Sequence, residues 1–255
     1  MIYVSFALSF VFKNLFLNPL INKKMAGINL INNCESCASG WKNFQHLTKS
    51  ELTLINENRY EAAFRPGEIM IKQGSPASNA LFMANGMAKT YIEGISGKNF
   101  IMGIALPGNL IMGPGAYVNS RHNYSVSAIT PVQACFISFE IFKQLVRVNG
   151  AFAEGFLEDI SAKSLRSQYR MVNLAQKRMS GRLADALLYF SDDVFKEDEY
   201  EMILSRQELG ELTSMAKECV VRILKELEDS GVIYSDSSKI KILDKKRLIQ
   251  ISEKG

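Results

Sequence analysis

The stretch from Ile203 to Ile242, ILSRQELGELTSMAKECVVRILKELEDSGVIYSDSSKIKI, decides how the carboxy-terminal part of this chain folds. Ser205 and Glu208 have the spacing of a capping box, in which each side chain bonds the other residue's backbone amide where a helix begins. This predicts a first short helix. A second helix is expected from about Ala216 to Asp229, and Gly231 can supply the left-handed residue that ends it. The residues that follow predict a β-hairpin.

The second helix has one apolar side. The residues at inward-facing spacing are Val220, Ile223, Leu224 and Leu227. The side chains that must therefore face outward are those of Lys217, Glu218, Val221, Arg222 and Lys225. A short helix backed by protein, with a carboxylate and a guanidinium one turn apart, suits the major groove of DNA. Glu accepts from amino groups of cytosine or adenine, and Arg binds O6 and N7 of guanine. The segment therefore predicts a winged helix-turn-helix.

Length and composition set broad limits. The 255 residues suffice for one or two domains with a substantial core, and 47% hydrophobic and 22% charged residues are ordinary for a globular protein. The net charge of +4 supports a nucleic-acid partner weakly, because ten Lys or Arg balance ten Asp or Glu from Glu201 onward. Affinity for DNA must come from the placement of cations on one face. Four cysteines do not make a disulfide scaffold, so we expect a cytoplasmic protein.

The first 24 residues are unusual. Ile2 to Phe12 is almost wholly apolar but too short to span a bilayer, and Lys13 follows it. A secretory signal would need a positive start and a small-residue cleavage site, and neither is evident. We expect translation to begin at Met25, with residues 1–33 a spurious or unstructured extension and no membrane partner. The alternative is an anchor lying on a membrane surface, since aromatic and aliphatic residues dominate this segment.

The middle of the chain changes pattern twice. A capping box of Thr48 and Glu51 accompanies a helical pattern from about Phe44 to Arg59. From about Ala62 to Ser138, glycines punctuate short apolar runs, later at intervals of about eleven residues, which is typical of sandwiches and barrels. This region is predicted to be all-β.

After Phe139 the helical pattern returns and runs to about Asn173, with one break near Asn149-Gly150. A long helix between two domains is a natural place for self-association, although it could instead only pack against the β domain. Arg182 to Phe190 predicts another helix, and Asp192 to Glu201 an acidic loop.

In this order, a helix, a β roll, a long helix and a winged helix-turn-helix resemble the CRP/FNR superfamily of bacterial transcription regulators. The resemblance covers roughly Cys34 to the end and is strongest in Leu204–Gly210 and Glu218–Leu224. It implies an α+β fold with an N-terminal double-stranded β-helix, a jelly roll of the cyclic-nucleotide-binding type. The implied segments are an effector domain at 34–148, a dimerisation helix at 149–176 and a winged helix-turn-helix DNA-binding domain at 177–255.

The resemblance also implies a homodimer on double-stranded DNA that binds an inverted repeat and contacts RNA polymerase. An effector in the β roll would realign the DNA-binding domains through the long helix. Glu218 and Arg222 match the family's base-reading pair, Lys217 falls at a second basic contact, and the implied half-site is of TGA type. The complete set of candidate DNA contacts is Arg206, Gln207, Lys217, Glu218, Val221 and Arg222, of which Arg206 and Gln207 are better placed for phosphate. The alternative is that Glu218 and Arg222 form only a surface salt bridge.

The family's cyclic-nucleotide cassette is incomplete here. The matching stretch begins at Gly113, and Pro114 occupies the position of the carboxylate that would hold a ribose hydroxyl. His122 and Asn123 stand where Arg-Ser would be, while Arg121 is one residue off, which in a strand turns a side chain to the other face. These residues outline a candidate effector pocket, but without the guanidinium the sequence argues against cyclic AMP.

Cysteines offer a second kind of signal. In the resemblance to oxygen-responsive regulators, Cys34, Cys37 and Cys135 match three ligands of an iron–sulfur cluster. At the remaining position stands Asn43, a poor ligand, so a cluster would need an unusual fourth one such as His46. The C-x-x-C pair could equally be a thiol switch, a zinc pair or nothing.

Haem or another small molecule in the β roll remains a third alternative, with His122 as a possible ligand. DNA binding without any effector also remains open. The sequence does not name the small-molecule or redox effector.

Functions of other classes are less well supported. The chain has no G-x-S-x-G, Walker or H-E-x-x-H motif, so we expect no enzyme. The glycine-rich Gly113-Pro-Gly is not predicted to open a phosphate-binding helix. A regulatory or scaffold protein that binds a cyclic-nucleotide-like ligand without touching DNA is the remaining alternative, and the carboxy-terminal motif argues against it.

Overall fold

The computed structural model describes Cys34 and residues 41–255; the expected extension at residues 1–33 and Cys37 lie outside the described residues. The helices are a 3₁₀ helix Lys42–His46, α1 Lys49–Glu57, a 3₁₀ turn Ile95–Gly97, α2 Gly115–Val118, α3 Phe139–Val148, α4 Gly150–Gln176, α5 Met179–Tyr189, a π-helical turn Phe190–Phe195, α6 Arg206–Thr213, α7 Lys217–Asp229 and α8 Lys245–Lys254. The strands are β1 Arg59–Phe64, β2 Ile69–Ile71, β3 Asn79–Asn85, β4 Ala88–Glu93, β5 Asn99–Ala105, β6 Leu110–Ile111, β7 Ser125–Ala128, β8 Val132–Ser138, β9 Glu199–Glu201, β10 Ile233–Asp236 and β11 Lys239–Ile242. Within this described part, no helix combines the length and apolar character needed to cross a membrane.

Strands β1 to β8 form a jelly roll, as predicted. One sheet has the order β1-β8-β3-β6 and the other β2-β7-β4-β5, with antiparallel pairing throughout. Apolar side chains from both sheets, such as Leu81 and Val126, fill the space between them. The tight turn between β3 and β4 needs Gly86, which has φ +82° and whose Cβ would lie 2.2 Å from the Pro131 carbonyl oxygen.

A helical layer covers the other face of the first sheet. The predicted capping box of Thr48 and Glu51 opens α1. The predicted break falls at Asn149, whose side chain accepts a 3.0 Å hydrogen bond from the Phe152 amide and so caps α4. The rings that join this layer to the sheet are Trp41, Phe44, Phe82, Phe142, Phe152 and Phe156.

The acidic loop predicted for Asp192 to Glu201 is wrong. Its first residues belong to the π-helical turn Phe190–Phe195, which places Val194 in the core, and its end is β9, which pairs with β11. The apolar anchors among the acidic residues set this structure, while Lys245 binds Asp192 at 2.6 Å and thereby offsets part of the charge.

The carboxy-terminal elements share a core with the jelly roll. Tyr91 on β4 and Ile101 and Ile104 on β5 belong to the same buried cluster as Leu183 on α5 and Leu209 on α6. The β4–β5 ribbon, residues 88–105, therefore packs directly into the domain that carries the helix-turn-helix.

Candidate nucleic-acid interface

Helices α6 and α7 form the predicted helix-turn-helix. The amide of Ser205 donates to Glu208 Oε2 at 2.8 Å, and the amide of Glu208 donates to Ser205 Oγ at 3.2 Å, which completes the capping box. Helix α6 ends at Thr213, and Ser214, which caps it, has a left-handed φ of 53°. Arg182 Nη1 donates to the Ser214 carbonyl at 3.2 Å and holds the turn. A Cβ on Gly210 would lie 2.5 Å from the Met215 carbonyl oxygen, so only glycine allows this close approach.

Helix α7 presents the surface that the sequence predicts. Its inward side chains, Val220, Ile223, Leu224 and Leu227, are buried. The outward set is exposed and comprises Lys217, Glu218, Val221, Arg222 and Lys225. The orientation of this helix is thus confirmed, while contact of these side chains with bases stays a prediction.

The two base-reading candidates do not pair with each other. Arg222 Nη1 lies 2.5 Å from Glu226 Oε1, one turn further along α7, and both side chains are more than half exposed. The alternative pair of Arg222 with Glu218 is not formed. An exposed ion pair contributes only about 0–1 kcal/mol, so Arg222 can exchange Glu226 for another acceptor at little cost.

Strands β10 and β11 form the wing, with β9 as the third strand. Lys239 Nζ and Lys241 Nζ lie 2.5 and 2.8 Å from the carboxylate of Glu199. These hydrogen bonds lower the pKa of Glu199 to about 2. In this arrangement a single carboxylate, that of Glu199, partly neutralises the positive charges of both wing lysines.

Arg206 has a different contact from the one that the sequence suggests. Its guanidinium donates to the Ser237 carbonyl at 2.9 Å and to Ser235 Oγ at 3.3 Å, so it fastens α6 to the wing. Burial lowers the pKa of Arg206. Gln207, next to it, is exposed at the start of α6. A phosphate contact stays a prediction for both residues.

The residues of the candidate effector pocket are only partly brought together. Gly113 is buried against Asn123, since a Cβ on Gly113 would lie 2.4 Å from Asn123 Oδ1. His122 is buried, and burial lowers its pKa. Pro114 is exposed and precedes α2, a helix of only four residues; that the glycine-rich stretch opens no phosphate-binding helix stays a prediction. Arg121 is exposed as well and donates to the Gly74 carbonyl at 2.7 Å.

Two of the candidate redox cysteines share one small cavity of about 10 Å³ that Cys34, Cys135, Arg59 and Glu61 help to line. Arg59 Nη1 donates to Glu61 Oε1 at 2.5 Å and to Cys135 Sγ at 3.5 Å. Burial alone would lower the pKa of Arg59, but the hydrogen bonds to Glu61 and Cys135 raise it. Cys37, the third candidate, lies outside the described residues. Among the residues that are described, no cluster of three or more His, Cys, Asp or Glu could hold a metal ion.

The remaining ligand candidates lie elsewhere. Asn43 is buried and donates to the Phe152 carbonyl at 2.7 Å, and a Cβ on Gly155 would collide with it, so it serves the packing of α4. His46 is exposed, with its Nε2 3.3 Å from Gln45 Nε2.

Sequence reasoning missed two charged residues that join the jelly roll to the helix-turn-helix. Lys89 on β4 binds Glu208 on α6 at 2.5 Å. Arg170 on α4 binds carbonyls of β5 and α6. A signal for Arg170 was present, because it lies fourteen residues after Phe156, on the side of α4 that the periodicity assigns to the interior.

Comparison with known proteins agrees with this architecture. Residues 61–149 match the cyclic nucleotide-binding domain, and residues 181–251 match the Crp-like helix-turn-helix domain, together more than half of the chain. The cAMP-activated global transcriptional regulator CRP of Salmonella typhimurium is 27% identical over 175 residues, 67% of this chain and 83% of that protein. The anaerobic regulatory protein of Pasteurella multocida is 24% identical over 247 residues, 94% and 90% of the two chains. The solved structure of FixK2 from Bradyrhizobium japonicum has a TM-score of 0.69 at 19% identity, covering 76% of this chain and 96% of that one, and so has the same fold.

Proposed function

The chain belongs to the CRP/FNR family of DNA-binding transcription regulators, and from this premise we propose that it reads an inverted-repeat site as a homodimer. The observation that carries the proposal is α7 itself. Its inner side is fully packed, and its outer side offers Glu218 and Arg222 to solvent, one turn apart. Such a helix can enter the major groove without losing its own support.

Base reading is assigned to the two exposed polar side chains. Arg222 binds guanine through O6 and N7, and Glu218 accepts from the amino group of cytosine on the opposite strand, which gives a TGA-type half-site. Lys217 supplies a cation at the start of α7, and Val221 offers an apolar contact between the two readers. Arg206 and Gln207 lie at the start of α6, where a helix amino terminus favours phosphate.

Self-association is assigned to α4. This 27-residue helix is about 40 Å long and keeps one side on the jelly roll through Phe152 and Phe156. The apolar side chains that it leaves exposed are Leu157, Ile160, Leu165, Tyr169, Met171 and Val172. A second copy of the chain would cover this side, and two α7 helices would then present themselves to two half-sites.

The signal is assigned to the jelly roll, residues 34–148, and its relay to the helix 149–176. Cyclic AMP is disfavoured because Pro114 replaces a carboxylate and the guanidinium of Arg121 is taken up by Gly74. The signals that remain are a redox change at Cys34 and Cys135 and another small molecule in the jelly roll. The domain at 177–255 then acts on transcription with RNA polymerase as its partner.

Selection of binding sites from random duplexes tests the proposal. The full-length protein is incubated with the duplexes under oxic and anoxic conditions, with non-specific DNA as competitor. We expect an inverted repeat with TGA-type half-sites, enriched more strongly under one of the two conditions. Enrichment of no sequence under either condition would contradict DNA reading and favour a ligand-binding scaffold.

A further inference from the structure

The side of α4 that faces the jelly roll carries a partly buried arginine, Arg170. Arg170 follows Lys163 by two helical turns on the same side as Phe156. Burial lowers the pKa of Arg170 to about 10, so the guanidinium remains protonated at neutral pH. Within the described residues it forms no ion pair, and its hydrogen bonds go to three backbone carbonyls. A partly buried cation that lacks a carboxylate partner loses hydration, so we look for its role in the segments that supply these carbonyls.

Two of the carbonyls come from an irregularity in β5. The β4–β5 register runs from Thr90 opposite Gly103 to Tyr91 opposite Ile101, which leaves Met102 as a bulge. Arg170 Nη1 donates to the Met102 carbonyl, and Nη2 donates to that of Ile101. The guanidinium carbon also lies 4.6 Å from the centre of the Phe100 ring. At the bulge, the Ile101 and Met102 carbonyls are available outside the regular strand pairing. The planar guanidinium of Arg170 can donate to both of them at once.

The third carbonyl belongs to the helix-turn-helix. Arg170 Nη2 donates to the Leu212 carbonyl at 2.7 Å, in the last turn of α6, where carbonyls lack partners within the helix and a cation is favourable. The other end of α6 is tied to the same ribbon, because Lys89 binds Glu208 at 2.5 Å. Both ends of α6 are therefore fixed to β4–β5, and the tight turn at Ser214 fixes α7 to α6.

We propose that Arg170 is a positioning residue that couples the β5 bulge to the orientation of α7. A displacement of β5, whatever moves it, changes the place of the Ile101 and Met102 carbonyls. The guanidinium must follow them and carries the end of α6 with it. A lysine would not serve, since one ammonium on a flexible stem cannot hold carbonyls of a strand and a helix in a fixed plane. Arg170 would thereby control the orientation of the proposed DNA-reading surface. Only the measurement with DNA rests on the proposed function.

Hydrogen–deuterium exchange on the full-length chain tests the coupling. The variants are Arg170→Met and Arg170→Lys, and the matched controls are Arg166→Met and Arg166→Lys, one turn earlier at an exposed position of α4. Without DNA, we expect exchange to be roughly tenfold faster in residues 99–105 and 206–213 of both Arg170 variants, because local opening loses several charged hydrogen bonds. Residues 80–84, in the centre of the jelly roll, should exchange at the wild-type rate.

A second measurement separates coupling from stability. A duplex selected by the wild-type protein should slow exchange in residues 99–105, far from the DNA, and this response should be absent from both Arg170 variants and present in the Arg166 controls. The proposal would be overturned if the Arg170 variants kept the response to DNA, or if they exchanged at the wild-type rate in residues 99–105 and 206–213. It would also be overturned if their exchange were uniformly faster, including residues 80–84. If Arg170→Met does not fold, Arg170→Lys, which keeps charge and volume, decides. If the wild-type protein selects no DNA, the proposed function fails, and exchange without DNA still tests the coupling.

Discussion

The ammonium of Lys89 lies 2.5 Å from Glu208 Oε1, and Oε2 of the same carboxylate accepts a 2.8 Å hydrogen bond from the Ser205 amide. One side chain therefore starts α6 and also ties it to the jelly roll. Burial alone would raise the pKa of Glu208, but the hydrogen bonds from Lys89 and Ser205 lower it below its ordinary value. The carboxylate is thus ionised at neutral pH and available to both partners.

The two tasks of Glu208 can be separated by substitution. Glu208→Gln keeps the capping box, which accepts Gln, and loses only the ion pair, so it should lower the free energy of unfolding by about 0–1 kcal/mol. Glu208→Ala also loses the hydrogen bond from the Ser205 amide, while the Glu208 backbone amide still donates to Ser205 Oγ, so it should cost about 0.5–1.5 kcal/mol more. Urea unfolding followed by circular dichroism measures both.

Lys89→Met provides the matched control for the ion pair. It should cost as much as Glu208→Gln, and combining the two should add little, because both remove the same contact. Equal destabilisation by Glu208→Gln and Glu208→Ala would show that the bond from the Ser205 amide to this side chain contributes nothing to stability.

Arg222→Ala should remove discrimination at one base pair of the site. We expect a loss of about 1–3 kcal/mol between the selected duplex and one with the guanine replaced, with thermal stability unchanged because Arg222 is exposed. Fluorescence anisotropy with the two duplexes gives the ratio of affinities. Lys225→Ala, which removes another exposed cation three residues further along α7, should keep the ratio. A ratio unaltered in Arg222→Ala would refute its assignment to guanine.

Much of the fold follows from local patterns in the sequence. The capping boxes at Thr48 and Ser205 start α1 and α6 as predicted, and Gly231 has the positive φ expected after α7. The outward side of α7 was predictable for the same reason, since helical periodicity alone decides which side is buried. Caps and periodicity act over a few residues, so the sequence displays them directly.

Contacts between distant segments were not predictable. The Arg206 guanidinium binds the Ser237 carbonyl, 31 residues later in the chain, because the wing returns to α6, and no local pattern indicates this contact. Arg170 is a partly buried cation, and its acceptors are carbonyls at the β5 bulge and at the end of α6. No periodic pattern marks such a bulge, so these parts of the candidate site required the structure.

The exposed apolar side chains of α4 predict that the protein is a dimer in which two copies of α4 pack together. Leu165→Glu places a carboxylate in the proposed seam of both protomers, and burial of this charge should weaken the dimer by at least about tenfold. Arg166→Gln changes the next residue, about 100° around the helix and outside the seam, and should leave the dimer intact. Light scattering coupled to size exclusion over a range of concentrations distinguishes the outcomes. If Leu165→Glu dissociates at the same concentration as the wild type, α4 is not the dimer interface.

Glu199 gives the wing a titration that can be observed. Hydrogen bonds from Lys239 and Lys241 lower its pKa from an ordinary 4.5 to about 2. Because the folded value lies below the unfolded one, the stabilising effect of these contacts is complete above about pH 4.5 and is lost as the pH falls toward 2. Carbon-13 NMR of the Glu199 carboxyl should show this low value, and Lys239→Gln should raise it. Titration at the ordinary value in the wild type would show that the lysines are not held there in solution.

The same carboxylate should restrain binding to non-specific DNA. Glu199→Gln releases Lys239 and Lys241 for phosphates, so affinity for random duplex should rise and its dependence on salt should steepen by roughly two phosphate contacts. Glu201→Gln, on the same strand, makes the identical change of charge without removing either ion pair and serves as the control. Discrimination between the selected and random duplexes should fall in Glu199→Gln, because only the phosphate contribution increases. Equal salt dependence in the two variants would mean that net charge alone governs the effect, and the pairing of the wing lysines would then have no role in specificity.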